Sequence, residues 1–188
     1  VPFTVDENKD GFRDIPNGSN LAVFNRYKYE GKKMEAQLGF NAYWDQRLGG
    51  QTSFNGTNFA AAYGVLIDSK HIDVFAKTGF FLKKPLHSFG VVYNAKYQTV
   101  DATFGTRQFK GSEKRGYVNA IYDGIINNST HKFKVGASGV YSEIEQQMDS
   151  LNDDRLEIVP GVFGEYTYSG ARLSAVAGLR GDYHNIYG

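Results

Sequence analysis

The chain has no cysteine, which excludes a disulfide scaffold and any thiolate metal centre. Its four histidines, His71, His87, His131 and His184, lie in separate segments with no His–Glu pairing at metal-ligand spacing. A nucleophile elbow and a phosphate-cradling glycine loop are also missing, so no enzymatic activity is expected. The net charge of +1 falls short of the basic face that nucleic acid demands, and no nucleic-acid partner is expected. Mean hydropathy is −0.44 and no run approaches 18 consecutive apolar residues, which removes a transmembrane helix. What the chain does have is 22 glycines, 13 tyrosines and 14 phenylalanines in 188 residues, with leucine sparse. That mixture suits closely packed strands carrying amphipathic aromatics.

Alternation with period two, the signature of strands, recurs along the chain. Met34, Ala36, Leu38, Phe40, Ala42 and Trp44 share one face, opposite Glu35, Gln37, Gly39, Asn41, Tyr43 and Asp45. Seven more segments read the same way, with apolar faces through Leu21–Tyr29, Ile72–Leu82, Phe89–Thr99, Gly116–Gly124, Phe133–Tyr141, Leu156–Tyr168 and Ala171–Leu179. These apolar faces carry no charge, whereas each opposite face does. At about ten residues or more, the segments match membrane-spanning strands of roughly 9–11 residues better than soluble ones. An aqueous barrel or sandwich with the apolar face turned inward is the alternative.

The expected fold class is all-β, an antiparallel transmembrane β-barrel. Residues 1–188 form part of one barrel domain, with an extracellular loop over 1–19 and eight strands with their loops over 20–184. Short turns at 30–33, 83–87, 127–130 and 169–170 alternate with long connections at 46–70, 101–113 and 144–154, as periplasmic turns and extracellular loops do. Tyr27, Tyr29, Trp44, Tyr141, Tyr168 and Tyr183 fall near segment ends, where aromatic girdles belong. Pro160, in mid-strand, predicts a bulge. This topology puts both ends of the chain outside the cell, so the eight strands are expected to form an arc of a larger barrel. An isolated arc would expose unpaired backbone edges to lipid at several kcal/mol per group.

The runs Val23-Phe24-Asn25-Arg26-Tyr27-Lys28-Tyr29-Glu30-Gly31 and Tyr43-Trp44-Asp45-Gln46-Arg47-Leu48-Gly49-Gly50-Gln51 resemble the mid-barrel of TonB-dependent outer-membrane receptors, particularly those of Bacteroidetes. Ala177-Gly178-Leu179-Arg180-Gly181-Asp182-Tyr183-His184 is similar to a later strand of such receptors. The resemblance implies a bacterial outer-membrane location and a barrel of about 22 strands closed by a plug. It also implies energised uptake of a scarce nutrient such as a metal chelate, a cobalamin-like vitamin or a glycan. Implied partners are outer-membrane lipid, the rest of the barrel and its plug, the TonB complex acting through that plug, and a surface lipoprotein. Neither the plug nor a TonB-interacting segment lies within these residues. A non-transporting structural or adhesive barrel in a surface assembly is the rival reading.

Two stretches carry candidate sites. Asp6, Asn8 and Asp10, followed by Gly11, set oxygens at alternate positions before a sharp turn, and Phe12 and Asp14 continue the spacing of a Ca²⁺ loop. Asn17 stands where an EF-hand needs glutamate, so the expectation is a calcium-ordered external loop with Asp6, Asn8, Asp10, Asp14 and the Phe12 carbonyl as ligands. A solvated acidic turn is the alternative. In the 46–70 connection, Arg47, Phe54, Asn55, Phe59 and Tyr63 set aromatics beside polar groups, a combination that holds a bulky polar ligand by stacking and hydrogen bonds. A loop folded over its own aromatics would read identically. Asn55-Gly56-Thr57 also fits a glycosylation sequon, which matters only in a eukaryotic secretory setting.

Overall fold

The computed structural model describes residues 4–187. Among them the chain forms one antiparallel sheet and no helix. Its strands are β1 (Asn17–Glu30), β2 (Met34–Gly50), β3 (Gly64–Phe81), β4 (Ser88–Phe104), β5 (Arg107–Ile126), β6 (Asn128–Met148), β7 (Leu151–Asn152), β8 (Arg155–Ser169) and β9 (Ser174–Asp182). Long neighbours in sequence pair with each other, in the order β1-β2-β3-β4-β5-β6-β8-β9, while the two-residue β7 extends the far end of β6. The sheet is open, because β1 and β9 each pair on one side only.

Register turns the alternation into two chemical faces. Across one row run Asn25, Phe40, Val74, Ala95, Gly116, Tyr141 and Ile158. The next row, on the opposite face, is Phe24, Asn41, Asp73, Lys96, Arg115, Ser142 and Glu157. The apolar face has no layer packed over it: Leu21, Tyr27, Ile72, Val162 and Leu179 are exposed, the last at 86%. A compact water-soluble chain of this mass exposes about 9,000 Å²; this one exposes 12666 Å².

The strands run further than the alternation of hydrophobicity predicts. Asp101↔Lys110, Ala102↔Phe109, Thr103↔Gln108 and Phe104↔Arg107 are paired, so the expected loop over 101–113 is a hairpin turning at Gly105-Thr106. Gly105 takes a φ of +61°, the left-handed geometry that a two-residue hairpin turn needs at its first central residue. The expected loop over 144–154 shrinks likewise to 149–154, with Asp149 (φ 54°) and Gln108 hydrogen-bonded to each other. The loop expected over 46–70 covers only 51–63. Connection lengths therefore do not alternate strictly, and the strand region begins at Asn17 and ends at Asp182 instead of 20 and 184.

Pro160 makes no bulge. Pairing of β6 with β8 is continuous through Gly139↔Pro160, and the register slips only at Ile125/Ile126 beside the turn. The Pro160 carbonyl accepts a bond from Tyr183, beyond the last β8–β9 pair at Gly161↔Asp182. A strand residue points its N and O the same way, so the missing N–H falls where β9 has already ended.

Above Trp44, Ile72, Tyr97, Gly116 and Tyr141 the pattern inverts. The face that was apolar now carries Asp68, Lys70, Asp101, Lys110, Lys114, Glu143 and Glu145, while Val65, Ile67, Val100, Ala102, Phe104 and Phe109 lie on the other. Trp44 Nε1 donates to Asp68 at 3.2 Å on this boundary, and Lys114 meets Glu143 at 3.3 Å just beyond it.

Candidate functional site

Both candidate stretches lie at the rim where β2 ends and β3 begins, and they form one unit. Phe12 bridges Gln51: the Arg13 amide donates to the Gly50 carbonyl at 2.9 Å and the Thr52 amide to the Gly11 carbonyl at 2.8 Å. The Arg13 guanidinium then clamps the second loop, donating to the Gln51 carbonyl and, at 2.7 Å, to the Phe54 carbonyl. Nothing in the spacing of the first loop marks Arg13, because its partners are carbonyls about forty positions away.

The first loop is shaped by its own side chains. Asp6 Oδ2 accepts from the Gly11 amide at 3.1 Å, Asn8 Oδ1 from the Asp10 amide at 3.1 Å, and Asp10 Oδ1 from the Phe12 amide at 2.8 Å. These bonds curl the backbone into successive turns, with Asn8 and Asp10 exposed and Asp6 half-buried. Asp14 is committed differently, its Oδ2 accepting from the Glu7 amide at 2.7 Å. Two oxygens, Asp6 Oδ1 and Asn17 Oδ1, are shielded from solvent and have no hydrogen-bond partner. Among the described residues no three His, Cys, Asp or Glu side chains converge into a metal-sized cluster.

The second loop folds over Phe54, which is 1% exposed and packs at 4.6 Å between ring centroids against Phe59. The ring lies on Gly64, where a Cβ would have no room. Phe54 is thus the core of the loop and turns no face outward. Asn55 Oδ1 accepts from the Thr57 amide at 3.2 Å and the Thr57 hydroxyl at 2.8 Å, closing a local turn. Arg47 pairs with Asp45, Nε to Oδ2 at 2.8 Å. It lines a separate cleft of about 630 Å³ with Gln46, Leu66, Asp68, Asp101 and Lys110.

Of the expected ligand residues, Phe59 and Tyr63 come together. They line a cleft of about 570 Å³ with Gln51, Phe104 and Arg107. Tyr63, half exposed at 49%, rests on Gly105 of the β4–β5 turn. Arg107 and Phe104 were missed in the sequence because they sit on the hairpin expected to be loop. The cleft offers three aromatic rings, an amide and a guanidinium, which suits stacking and anion pairing. It holds no arrangement of nucleophile, base and oxyanion donors.

On the polar face the ions pair locally. Glu113 receives Lys96 at 2.6 Å and the Ser142 hydroxyl at 3.2 Å. Burial pushes its carboxyl up, but the Lys96 contact and the Ser142 bond outweigh that and hold it below the usual carboxylate range. On the other face, the Gln46 amide holds Asp68 low against burial, aided by Trp44 and Lys70. No protein-family model, curated protein or solved structure matches the chain.

Proposed function

We propose that the sheet is an arc of a transmembrane β-barrel in a bacterial outer membrane, belonging to a TonB-dependent receptor that imports a scarce nutrient. The observation that carries the membrane part is the bounded apolar face. On β2 it runs from Met34 to Trp44, about 34 Å along the strand at ~3.4 Å per residue. Tilted by about 40°, that is roughly 25 Å of height, the apolar band of an outer-membrane barrel. Trp44, Tyr97 and Tyr141 end the band on one side, and Tyr29, Phe89, Phe133 and Tyr168 on the other. The charged rows beyond Trp44 then fall at the headgroups, and the mixed polar face meets a wet lumen and plug. The two open edges support a larger barrel, since lipid does not tolerate an unpaired strand edge.

The receptor part rests on the sequence resemblance and on the cleft between Phe59, Tyr63 and Arg107 at the external rim. Its substrate class is a bulky polar nutrient carrying an anionic or aromatic group, such as a metal chelate, a cobalamin-like vitamin or a glycan, handed on with the help of a surface lipoprotein. Asp6, Asn8, Asp10, Asp14 and the Phe12 carbonyl would hold Ca²⁺ in the first loop. The orphaned, shielded Asp6 Oδ1 supports that reading. Calcium there would stiffen the loop, and through Arg13 the cleft beside it.

The test is growth of the source bacterium on limiting metal chelate, vitamin or glycan, with the gene deleted and then restored, alongside detergent extraction of the protein from outer membranes. Loss of one uptake activity that returns only with an intact TonB system is expected. Normal uptake of every class by the deletion strain, with the protein still in the membrane, would leave the structural or adhesive barrel standing.

A further inference from the structure

The two rims of the sheet differ in charge as well as in length. At the short-turn rim the connections are 31–33, 82–87, Asn127 and 170–173. They contain Lys32, Lys33, Lys83, Lys84 and Arg172, and no aspartate or glutamate. At the other rim the connections 4–16, 51–63, 105–106 and 149–154 contain Asp6, Glu7, Asp10, Asp14, Asp149, Asp153 and Asp154 against Lys9 and Arg13.

All five turn cations are exposed, and none lies within ion-pair distance of a carboxylate among the described residues. Their situation contrasts with Lys96, Lys114 and Lys134, each of which has an acidic partner. The acids nearest this rim, Glu30, Glu35, Asp123 and Glu165, sit on the polar face, and two of them already hold Lys28 and Lys134.

Just inside the same rim, on the apolar face, two histidine–tyrosine pairs repeat the same contact. His87 Nδ1 meets the Tyr122 hydroxyl at 2.8 Å, and His131 Nδ1 meets the Tyr166 hydroxyl at 2.5 Å. His87 is 4% exposed, lying over Gly124 between Tyr122 and Phe133. Amphipathic rings in a row mark the depth at which hydrocarbon gives way to headgroups. Unpaired cations directly beyond such a row stand at headgroup phosphates.

We infer that the short-turn rim is a docking surface for anionic phospholipid in the periplasmic leaflet, with Lys32, Lys33, Lys83, Lys84 and Arg172 gripping the headgroups beneath the His87–Tyr122 and His131–Tyr166 belt. This rests on the membrane-spanning reading above. Interfacial cations act independently and through water, so the attraction is additive and screened by salt.

The experiment reconstitutes the full-length protein in phosphatidylcholine vesicles containing a minor fraction of phosphatidylglycerol. Electron spin resonance of spin-labelled forms of each lipid measures which one occupies the boundary. The expected result is a several-fold preference for phosphatidylglycerol that falls toward one as salt rises from ~0.05 to ~1 M. It should also fall toward one in the variant K32Q/K33Q/K83Q/K84Q/R172Q, and persist in K114Q, whose lysine is already held by Glu143. A preference near one in the unaltered protein, or one indifferent to salt, overturns the inference while leaving the membrane reading intact. Absence of any motionally restricted lipid signal overturns both. The salt titration needs no variant, so misfolding of the quintuple variant leaves the inference testable.

Discussion

Within β4, Phe89, Val91, Tyr93, Ala95 and Tyr97 share one face, and a few residues later Val100, Ala102 and Phe104 share the opposite one. The same strand thus has two insides. In the lower part its apolar side chains face away from the polar rows; in the upper part they join them. Backbone pairing passes through Gln98 and Thr99 without a bulge, each pairing in register with Glu113 and Ser112. What makes a strand continuous is its ladder of hydrogen bonds, whereas what makes it amphipathic is the medium on each side. On the membrane-spanning reading proposed above, lipid is the apolar partner of the lower part, whereas at the upper rim the protein buries apolar side chains of its own, Phe54, Ala62 and Ala102.

If the upper part is held by its own core and the lower part by lipid, perturbations should separate them. The largest effect is expected of Phe54→Ala. Emptying a buried phenylalanine site costs about 3–5 kcal/mol. The loss should be confined to the loop, read as protease cleavage within 51–63 while the sheet keeps its far-ultraviolet signal. Global unfolding instead would show that the rim and the band are one cooperative unit.

Next comes Ala120→Arg, in the middle of the apolar stretch Gly116–Gly124 on β5, expected to destabilise the protein in lipid by about 2–4 kcal/mol. Ser112→Arg, on the same strand and face but beyond the boundary, should cost less than about 1 kcal/mol. Equal costs in urea titration from vesicles would erase the boundary. Calcium at about a hundred times its dissociation constant should stabilise the first loop by about 2.7 kcal/mol. The readout is slower amide exchange at Gly11 and Phe12, lost in Asp6→Asn; exchange unaffected by calcium removes the ion from the account.

The smallest effect is spectroscopic. Asp68 is held below its ordinary pKa of 3.8, so its bond to Trp44 is fully present at neutral pH and is lost only as pH falls through that lowered value. The emission of Trp44, the chain's single tryptophan, should be flat from pH 7 to about 4 and shift below that. Asp68→Asn should abolish the shift. A transition between pH 5 and 7 would point to another group.

The lower part was legible in the sequence because its face pattern is binary. Met34 to Trp44 reads correctly, and the eight apolar faces reappear in the register, except that Leu82 falls in the turn after β3 and Ala171 and Leu173 in the turn before β9. The upper hairpins were not legible, since following one phase of alternation past Tyr97 leads onto Thr99, Asp101 and Thr103, which look like loop. The turn at Gly105-Thr106 carried the only local signal. Of the candidate site, Phe59 and Tyr63 were findable by type, but Phe54 has the same composition and ended up underneath. Arg107 depended on the misplaced hairpin. Pro160 misled because its consequence depends on which side of the strand its nitrogen faces and on where β9 stops.

The order of the sheet is the order of the chain, interrupted only by the two-residue β7. No strand has to wait for a distant segment, so each new hairpin closes a loop of few residues and adds to an edge already formed. The arc can therefore grow by accretion from either end, with a single live edge advancing as each strand zips onto the last. A sheet built this way is never more than one strand from being able to accept the next.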